Sequence, residues 1–516
     1  MTVTVTINNL LNNIIFERMK RFYELLKLSK FDFKQHQYDG VKWCIENELR
    51  YIPPGITQAR GGFIADEMGL GKTILMIGTM FCNYVPRTLI IVPPVLIQQW
   101  YREIYKTTGH MALLFYGANK KNITKDILYN SPIVLTSYNM LIRKKKPCLL
   151  KDIAWNRVIF DEGHHLCNGN SERFHSCANI KAPIRWIVTG TPIRNKQSDF
   201  YNLCKAIGMK SKFYKNPDNL PIIGKHFVLR RTKKQLGINL PPVETHSNLI
   251  NWTFTSEMKL ARDIHSLLPG ISNVLQGERI GAALKGRGSL IAILRAKQSC
   301  VMTGLMREPM MRLYNSGLIS YETIDALDYS SKLITVINTV FERKDNGNGK
   351  IIFCQFRSEI DFIAIRLSAY GMKKVVTYDG RNSGKHNLAK LSEPADVLII
   401  QIQTGCEGLN LQENFSEIYF VAPHWCPFVE DQAIARCHRI GQTKPVTVFK
   451  FEMNGFVTMN NDGVVVKNEV VKNEVGKNEV VKTVNKKDET TIERHINNVQ
   501  LKKRIISDVI LNSSHS

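Results

Sequence analysis

The sequence predicts an α/β protein with two parallel-sheet lobes in tandem and a mainly helical region between them. Short apolar, β-rich runs alternate with helix-like or loop segments over residues 62–191, and the same alternation returns over residues 350–451. Such runs, separated by helices, are typical of a parallel sheet covered on both faces. Strand signals are sparse over residues 202–329. The predicted strands are residues 63–65, 88–92, 133–136, 158–160 and 186–189 in the first lobe, and 350–356, 375–378, 396–402, 417–421 and 446–451 in the second.

Composition narrows the class of protein further. The chain has 516 residues, 44% of them hydrophobic, and a net charge of +25, which suits a polyanionic partner, although a basic chain can also bind membranes or simply be soluble. Eleven cysteines with no C-x-x-C pair indicate a reducing compartment and no structural zinc. The N-terminus lacks the features of a secretory signal, and prolines interrupt the longest apolar stretch, residues 89–97. We therefore expect an intracellular protein with no membrane partner.

A phosphate-binding loop is predicted at residues 66–73, DEMGLGKT, between a strand and a helical run. Glycines there let backbone N–H groups approach phosphate oxygens, while Lys72 would contact the β- and γ-phosphates and Thr73 would ligate Mg²⁺. The strict G-x4-G-K-[ST] pattern is not met, because Asp66 stands at its first glycine, and a chance GKT in an ordinary loop is the alternative. The residues predicted to hold the nucleotide here are Asp66, Glu67, Met68, Gly69, Leu70, Gly71, Lys72 and Thr73.

An acidic pair, Asp161 and Glu162, follows the apolar run 157–160. The first carboxylate could hold Mg²⁺ and the second could orient the attacking water. The alternative is a surface Asp-Glu turn. The functional interpretation is favoured because the acidic pair, like the phosphate loop before it in the chain, directly follows a predicted strand. In the box Asp161, Glu162, Gly163 and His164, the histidine is expected to link the pair to neighbouring loops. The nearby His and Cys residues match no tetrahedral zinc spacing.

Gln432, Arg436 and Arg439 form a Q-x3-R-x2-R array. Their spacing predicts that the two arginines lie one helical turn apart on one face of a helix that ends at Gly441. Two guanidiniums so placed could stabilise the charge on a transferred phosphoryl group, and the alternative is a basic helix face. Because the arginines lie in the second lobe and the phosphate loop in the first, we expect hydrolysis to require lobe closure.

Together these segments resemble the Swi/Snf-type branch of superfamily-2 helicases, the ATP-driven duplex-DNA translocases that include chromatin remodellers. DEMGLGKT is that family's form of the phosphate loop, which explains Asp66, and FKQHQYDGVKW (residues 33–43) resembles its adenine-reading Q motif. The resemblance covers most of the chain and extends to compact members found in large DNA viruses. Further matching segments are LIIVPPVLIQQW, VLTSYNML, DEGHHLCN, TGTPIRN, FVLRRTKKQL, KIIFCQF, GCEGLNLQ, DQAIARCHRIGQ and TIERHINNVQLKKR.

The resemblance implies two RecA-like lobes, ATP and Mg²⁺ as cofactors, and specific roles for matching residues. It implies that Gln37 and Gln432 help to bind the nucleotide and that Ser137 and Thr404 touch the DNA backbone. Cys406 and Glu407 stand where the family usually has small or apolar residues. The implied catalytic residues are Lys72, Asp161, Glu162, Arg436 and Arg439, with Thr73 and Asp161 as ligands of nucleotide-bound Mg²⁺.

The expected function is an ATP-dependent motor that translocates along double-stranded DNA, with nucleosomes or a transcription complex as candidate targets. It would work in the nucleus or at another site of viral or cellular DNA metabolism. A strand-separating helicase is the alternative, and a scaffold with a dead ATPase is disfavoured because the catalytic residues are intact. The predicted segments are 1–32 (N-terminal), 33–210 (ATP-binding lobe 1), 211–330 (helical protrusions and linker), 331–455 (lobe 2), 456–489 (low-complexity insertion) and 490–516 (closing helix).

Overall fold

The computed structural model describes residues 2–53, 55–142, 148–192, 196–268, 289–381, 395–405, 409–456 and 490–512. The chain divides into two compact units, residues 1–240 with 502–516 and residues 241–501. Each unit contains one sheet, of seven and six strands respectively. The predicted insertion 456–489, with its V-K-N-E-V repeat, lies outside the described residues except for Phe456. Across the described ranges, every helix is too short or too polar to span a membrane.

The first unit is built on a sheet with strand order β3-β4-β2-β5-β6-β1-β7, in which every pair is parallel. The five predicted strands of this lobe are confirmed. Two further strands at the sheet edges were not predicted, because they are only three and two residues long. The strands are β1 Arg60–Ile64, β2 Thr88–Val92, β3 Leu113–Phe115, β4 Ile133–Ser137, β5 Arg157–Asp161, β6 Ile184–Val188 and β7 Val228–Leu229.

Helices cover both faces of this sheet. Successive residues of a strand point to opposite faces, so Leu89 and Phe160 enter one apolar cluster while Ile90 and Ile159 enter the other. Because all strands are parallel, their carboxyl ends meet at one edge of the sheet, where loops can converge. The α-helices of this unit are Thr2–Ser29, Gln35–Leu49, Lys72–Cys82, Ile97–Thr108, Lys125–Tyr129, Tyr138–Leu141, Glu172–Ala178, Gln197–Ala206, Ser211–Tyr214 and Leu220–Phe227.

The second unit is built on a sheet with strand order β10-β11-β9-β12-β13-β8, again with every pair parallel. The five predicted strands are confirmed. The predicted α/β fold class, with two parallel sheets in tandem, is therefore confirmed as well. The strands are β8 Val243–Ile250, β9 Gly349–Cys354, β10 Val375–Tyr378, β11 Val397–Gln401, β12 Phe415–Phe420 and β13 Val446–Met453.

Strand β8 lies within residues 202–329, where the sequence gives few strand signals. Its eight residues pair with β13 in continuous register, yet residues 243–247 are exposed. An edge strand held by main-chain hydrogen bonds needs no apolar alternation, so the polar sequence VETHSNLI gave no strand signal. The boundary between the two compact units falls between residues 240 and 241, inside the predicted region 211–330.

Helices of the second unit pack on its sheet around two apolar clusters. A buried ion pair joins two of them, since the Lys332 ammonium donates to both carboxylate oxygens of Glu493, which also accepts the Met453 N–H at 2.8 Å. Ile492 and Ile496 of the predicted closing helix enter the same core. The α-helices assigned from Thr255 onward are Thr255–His265, Ser289–Val301, Arg307–Asn315, Tyr321–Asp325, Ser331–Glu342, Arg357–Ala369, Ile402–Gly405, Pro427–Ile434 and Ile492–Asn512.

A buried histidine makes this unit sensitive to acid. The Nε2 atom of His265 accepts the Ile492 N–H at 3.1 Å, and burial lowers the His265 pKa to about 4. The unfolded chain, with a histidine pKa of about 6.5, binds the extra proton first as pH falls. Stability therefore decreases from about pH 6.5 down to about pH 4.

We expect the free energy of unfolding to fall by roughly 2 kcal/mol between pH 7 and pH 5 through His265 alone. Urea unfolding at both pH values, compared between wild type and His265→Gln, isolates this contribution because all other titrating groups are shared. The variant should lose less stability on acidification. An equal loss in both proteins would show that His265 is not the titrating group.

Candidate functional site

The predicted phosphate loop lies between β1 and the helix Lys72–Cys82. Gly69 and Gly71 have φ values of 91° and 80°, which favour glycine over residues with a side chain. A Cβ atom at position 71 would lie 2.7 Å from Nε2 of Gln37, so the Q-motif glutamine lies against this loop. The Lys72 ammonium donates to the main-chain oxygen of Asp66 at 3.0 Å. The structure thus brings Gln37 and the phosphate loop together.

Asp161 ends β5 with its side chain almost fully buried. Trp100 Nε1 donates to Asp161 Oδ2 at 2.6 Å, and the Glu162 N–H donates to Oδ1 at 3.0 Å. Burial, followed by the neighbouring Glu162 carboxylate, raises the Asp161 pKa to about 7, while the Lys72 ammonium opposes this shift. The acidic pair and the phosphate-loop lysine therefore act on each other electrostatically, and added positive charge would favour the ionised form of Asp161.

Glu162 adopts a left-handed backbone conformation with φ of 47°. Such a conformation is strained for a residue with a side chain and is often found at functional sites. His164 Nδ1 lies 3.1 Å from Glu162 Oε2 and 3.5 Å from Thr189 Oγ1. His164 therefore connects the acidic pair to the loop after β6, which is the link expected from the sequence.

The loop after β6, residues 189–192, lies against the phosphate loop. A Cβ atom at position 190 would be 3.1 Å from Met68 Cε and 3.4 Å from Lys72 Nζ. Because β5, β6 and β1 are neighbours in the sheet, the loops that follow them meet at one edge. The structure thus gathers Lys72, Asp161 and Thr189 into one site.

The paired arginines of the second unit are not on a helix, contrary to the prediction. The helix Pro427–Ile434 ends two residues before Arg436, and Gly441 lies in a later turn with φ of 100°. The Arg436 carbonyl accepts the Leu411 N–H at 3.1 Å, which ties this segment to the chain after the 402–405 helix. A series of turns, rather than a helix, places the two side chains.

The two guanidiniums nevertheless lie close enough to interact. Burial, followed by the charge of Arg436, lowers the pKa of Arg439, and the Arg439 guanidinium donates to Asn410 Oδ1. Gln432 is buried within the preceding helix. The two predicted arginines therefore interact with each other, although their backbone differs from the prediction.

The two residues predicted to touch DNA lie at or just after the ends of strands β4 and β11. Ser137 is the last residue of β4 and is buried. Thr404 belongs to the helix Ile402–Gly405, and its side chain lies outside the described residues, as do Cys406 and Glu407. No group of three His, Cys, Asp or Glu side chains suited to a metal occurs within the described ranges.

Sequence reasoning missed several residues that shape the site. The Tyr138 hydroxyl donates to the Asp161 carbonyl at 2.6 Å, and Trp100 binds the Asp161 carboxylate. A buried tryptophan or tyrosine usually needs a hydrogen-bond acceptor, so an apolar segment ending in tryptophan was a usable signal. Arg231 and Lys233, which contact Asp66 and Glu67, were noticed only as part of a matching segment.

Comparison with known proteins identifies the family. The family described as SNF2-related domain matches residues 36–300, just over half of the chain, so this protein belongs to that family. The predicted resemblance is thereby confirmed. The structure is also similar to the SWI2/SNF2 ATPase core of Sulfolobus solfataricus in complex with dsDNA, with a TM-score of 0.37 and 24% identity over 83% of this chain and 89% of that one.

Curated relatives are similar to this chain in sequence, at 24% to 28% identity. The chain is 28% identical over 455 residues to "Uncharacterized ATP-dependent helicase MG018" of Mycoplasma genitalium, which covers 81% of this chain and 40% of the relative. It is 24% identical over 474 residues to "ATP-dependent DNA helicase DDM1" of Arabidopsis thaliana, covering 81% and 58%. A "Probable global transactivator" of Orgyia pseudotsugata multicapsid polyhedrosis virus is 26% identical over 449 residues, covering 81% and 85%. The chain spans about half the length of the first two relatives.

Proposed function

We propose that this protein is a DNA-dependent ATPase of the Swi/Snf type that translocates along duplex DNA. The observation that supports this most is the convergence of Lys72, the Asp161–Glu162 pair and Thr189 at the carboxyl edge of one parallel sheet. Nucleotides bind at this edge in proteins of this architecture. Membership of the SNF2-related family supports the same conclusion.

The residues at this edge suit ATP hydrolysis. Backbone N–H groups of the glycine-rich loop and the Lys72 ammonium would bind the phosphates. The Thr73 hydroxyl and the Asp161 carboxylate are oxygen ligands of the kind that Mg²⁺ prefers. Burial is the main cause of the raised pKa of Asp161, and a nearby cation would favour its ionised form. When bound, Mg²⁺ would offset the charge of the phosphates.

Glu162 is the proposed acceptor of the proton from the attacking water. Its contact with His164 holds the carboxylate in one orientation, and Thr189 contacts the same histidine nitrogen. A change in the loop after β6 can therefore be transmitted to Glu162. This gives a physical route by which the state of the phosphate site affects water activation.

Arg436 and Arg439 are the proposed source of positive charge for the transferred phosphoryl group. They belong to the second unit, whereas Lys72 and Glu162 belong to the first. We therefore propose that hydrolysis needs a closure step, and that cycles of closure move one unit's grip on DNA relative to the other's.

Duplex DNA is the proposed polymer. A net charge of +25 favours contacts with backbone phosphates, which give strong salt dependence and little sequence preference. One relative is named as a DNA helicase, another as a global transactivator and a third as a chromatin-remodeling ATPase. Accordingly, nucleosomes or a transcription complex are the targets we propose, at a nuclear or viral site of DNA metabolism.

Translocation and strand separation make different predictions. We expect ATP-dependent displacement of a third strand from a triplex and little unwinding of a forked duplex, because movement along an intact duplex strips bound strands without opening the helix. Fluorescently labelled strands on both substrates, with Lys72→Ala as the inactive control, would measure this. Rapid unwinding of the fork without triplex displacement would favour the strand-separating helicase.

A further inference from the structure

Asp66, at the start of the phosphate loop, is a fully buried carboxylate held by one residue, Arg231. Its Oδ1 atom accepts both the main-chain N–H and the Nε–H of Arg231, each at 3.0 Å. A second guanidinium nitrogen donates to Oδ2. Bidentate arginine–carboxylate pairs of this kind fix both position and orientation. The start of the phosphate loop therefore depends on a residue 165 positions further along the chain.

Arg231 also reaches the helix Gln35–Leu49. Its Nη1 donates to the main-chain oxygen of His36, the residue before Gln37. Its Nη2 would lie 2.9 Å from a Cβ atom at position 40, so Gly40 leaves room for the guanidinium. One side chain thus joins the residue that begins the phosphate loop to the segment that presents the Q-motif glutamine.

The chain around Arg231 runs beside the start of the phosphate loop. The Ala65 N–H donates to the carbonyl of Leu229, the last residue of β7, at 2.8 Å, and the Glu67 N–H donates to the Arg231 carbonyl at 2.9 Å. Lys233 adds a main-chain N–H to Glu67 Oε2 at 2.8 Å and an ammonium 3.2 Å from Oε1. Residues 229–233, which we name the clamp segment, therefore hold both acidic residues of DEMGLGKT.

The clamp segment acts on the lysine that would contact ATP. Lys72 donates to the main-chain oxygen of Asp66, the residue whose carboxylate Arg231 holds. A shift of Asp66 would therefore displace the partner of Lys72 and the loop that follows. The chain continues from this segment to residue 240, where the first unit's main segment ends.

We infer that Arg231 is a positioning residue for ATP binding, which acts through Asp66 and the main chain of His36. The inference rests on the proposed function in that ATP is taken as the ligand of this loop. Arg231 keeps the phosphate loop and the Q motif in one arrangement before ATP binds, so its loss weakens ATP affinity more than turnover. A purely structural ion pair would instead affect stability alone.

The test compares Arg231→Lys, which keeps the charge but loses the bidentate geometry, with Asp66→Asn, which keeps the shape but loses the charge. Lys234→Ala, on an exposed neighbour in the same sequence, is the matched control. The Kd of a fluorescent ATP analogue, the KM and kcat for ATP, and the urea unfolding midpoint are measured for each protein. The unfolding midpoint shows whether each protein is folded under the conditions in which its Kd is measured.

We expect Arg231→Lys and Asp66→Asn each to raise the Kd and KM for ATP by about tenfold, with kcat changed less than about threefold. The double variant should bind ATP no more weakly than either single variant, because the two residues act through one contact. Lys234→Ala should match wild type. The inference would be wrong if both variants were folded and bound the ATP analogue with the wild-type Kd. It would also be wrong if Lys234→Ala lost as much ATP affinity as they did.

These outcomes separate the inference from the proposed function. A wild-type chain that binds ATP but is not stimulated by DNA would contradict the motor, while the Kd comparison would still decide the role of Arg231. A wild-type chain that binds no ATP would overturn both.

Discussion

Replacing Glu162 by glutamine is expected to lower ATP hydrolysis by about 10²- to 10⁴-fold while leaving ATP affinity within a few-fold of wild type. Glutamine keeps the size of the side chain but cannot accept the proton of the attacking water. Glu162 already occupies a strained backbone conformation with its carboxylate against His164, so the shape of the site should persist without the charge. Single-turnover hydrolysis with bound duplex DNA, together with the Kd for ATP, measures the two effects separately.

Glu172→Gln is the matched control for this experiment. Glu172 is exposed in the first turn of the helix Glu172–Ala178, ten positions after Glu162. Its replacement by glutamine is the same chemical change, made away from the site. The control should hydrolyse ATP at the wild-type rate. Retention of more than a tenth of wild-type activity by Glu162→Gln would mean that another residue activates the water.

The second large effect is expected at the paired arginines. Arg436→Ala and Arg439→Ala should each lower the DNA-stimulated kcat by about 10³- to 10⁵-fold, the range seen when an arginine that stabilises phosphoryl transfer is absent. ATP binding by the first unit should persist, because Lys72 and the phosphate loop are intact. Stopped-flow phosphate release and ATP-analogue binding would report the two steps.

Arg366→Ala provides the comparison on the same unit, since Arg366 is exposed on the helix Arg357–Ala369 and lies against Phe362. It should leave kcat unchanged. If Arg436→Ala and Arg439→Ala both turned over ATP like this control, the second unit would contribute no catalytic charge. In that case the proposed closure step would lose its main support.

The sheets could be predicted from the sequence because most of their strands are buried on both faces. A strand that is buried on both faces has a continuous apolar sequence, as in residues 88–92, and such a run can be recognised in the sequence alone. The phosphate loop could be placed for a similar reason, since its glycines and lysine follow an apolar strand. His164 was predicted to link the acidic pair to neighbouring loops because the spacing of the nearby His and Cys residues does not fit a zinc site.

Other features depend on contacts that no local pattern records. Strand β8 is polar and exposed, and only its main-chain pairing with β13 makes it a strand. The helix before Arg436 ends early, and the carbonyl of that arginine is bonded to Leu411 instead. Ser137 sits at the end of a strand that is buried on both sides. The pairing of Asp66 with Arg231 spans 165 positions and follows from folding alone.

ATP hydrolysis at the Lys72–Glu162 site is proposed to depend on duplex DNA. The most direct test of this dependence is the steady-state ATPase rate of the purified chain with no polymer and with double-stranded DNA, single-stranded DNA or RNA, beside Glu162→Gln as the blank. We expect duplex DNA to stimulate hydrolysis by the wild-type chain most strongly and to have no effect on the variant. If no polymer changed the wild-type rate, or if the variant hydrolysed ATP equally fast, the proposed DNA-dependent site would be wrong.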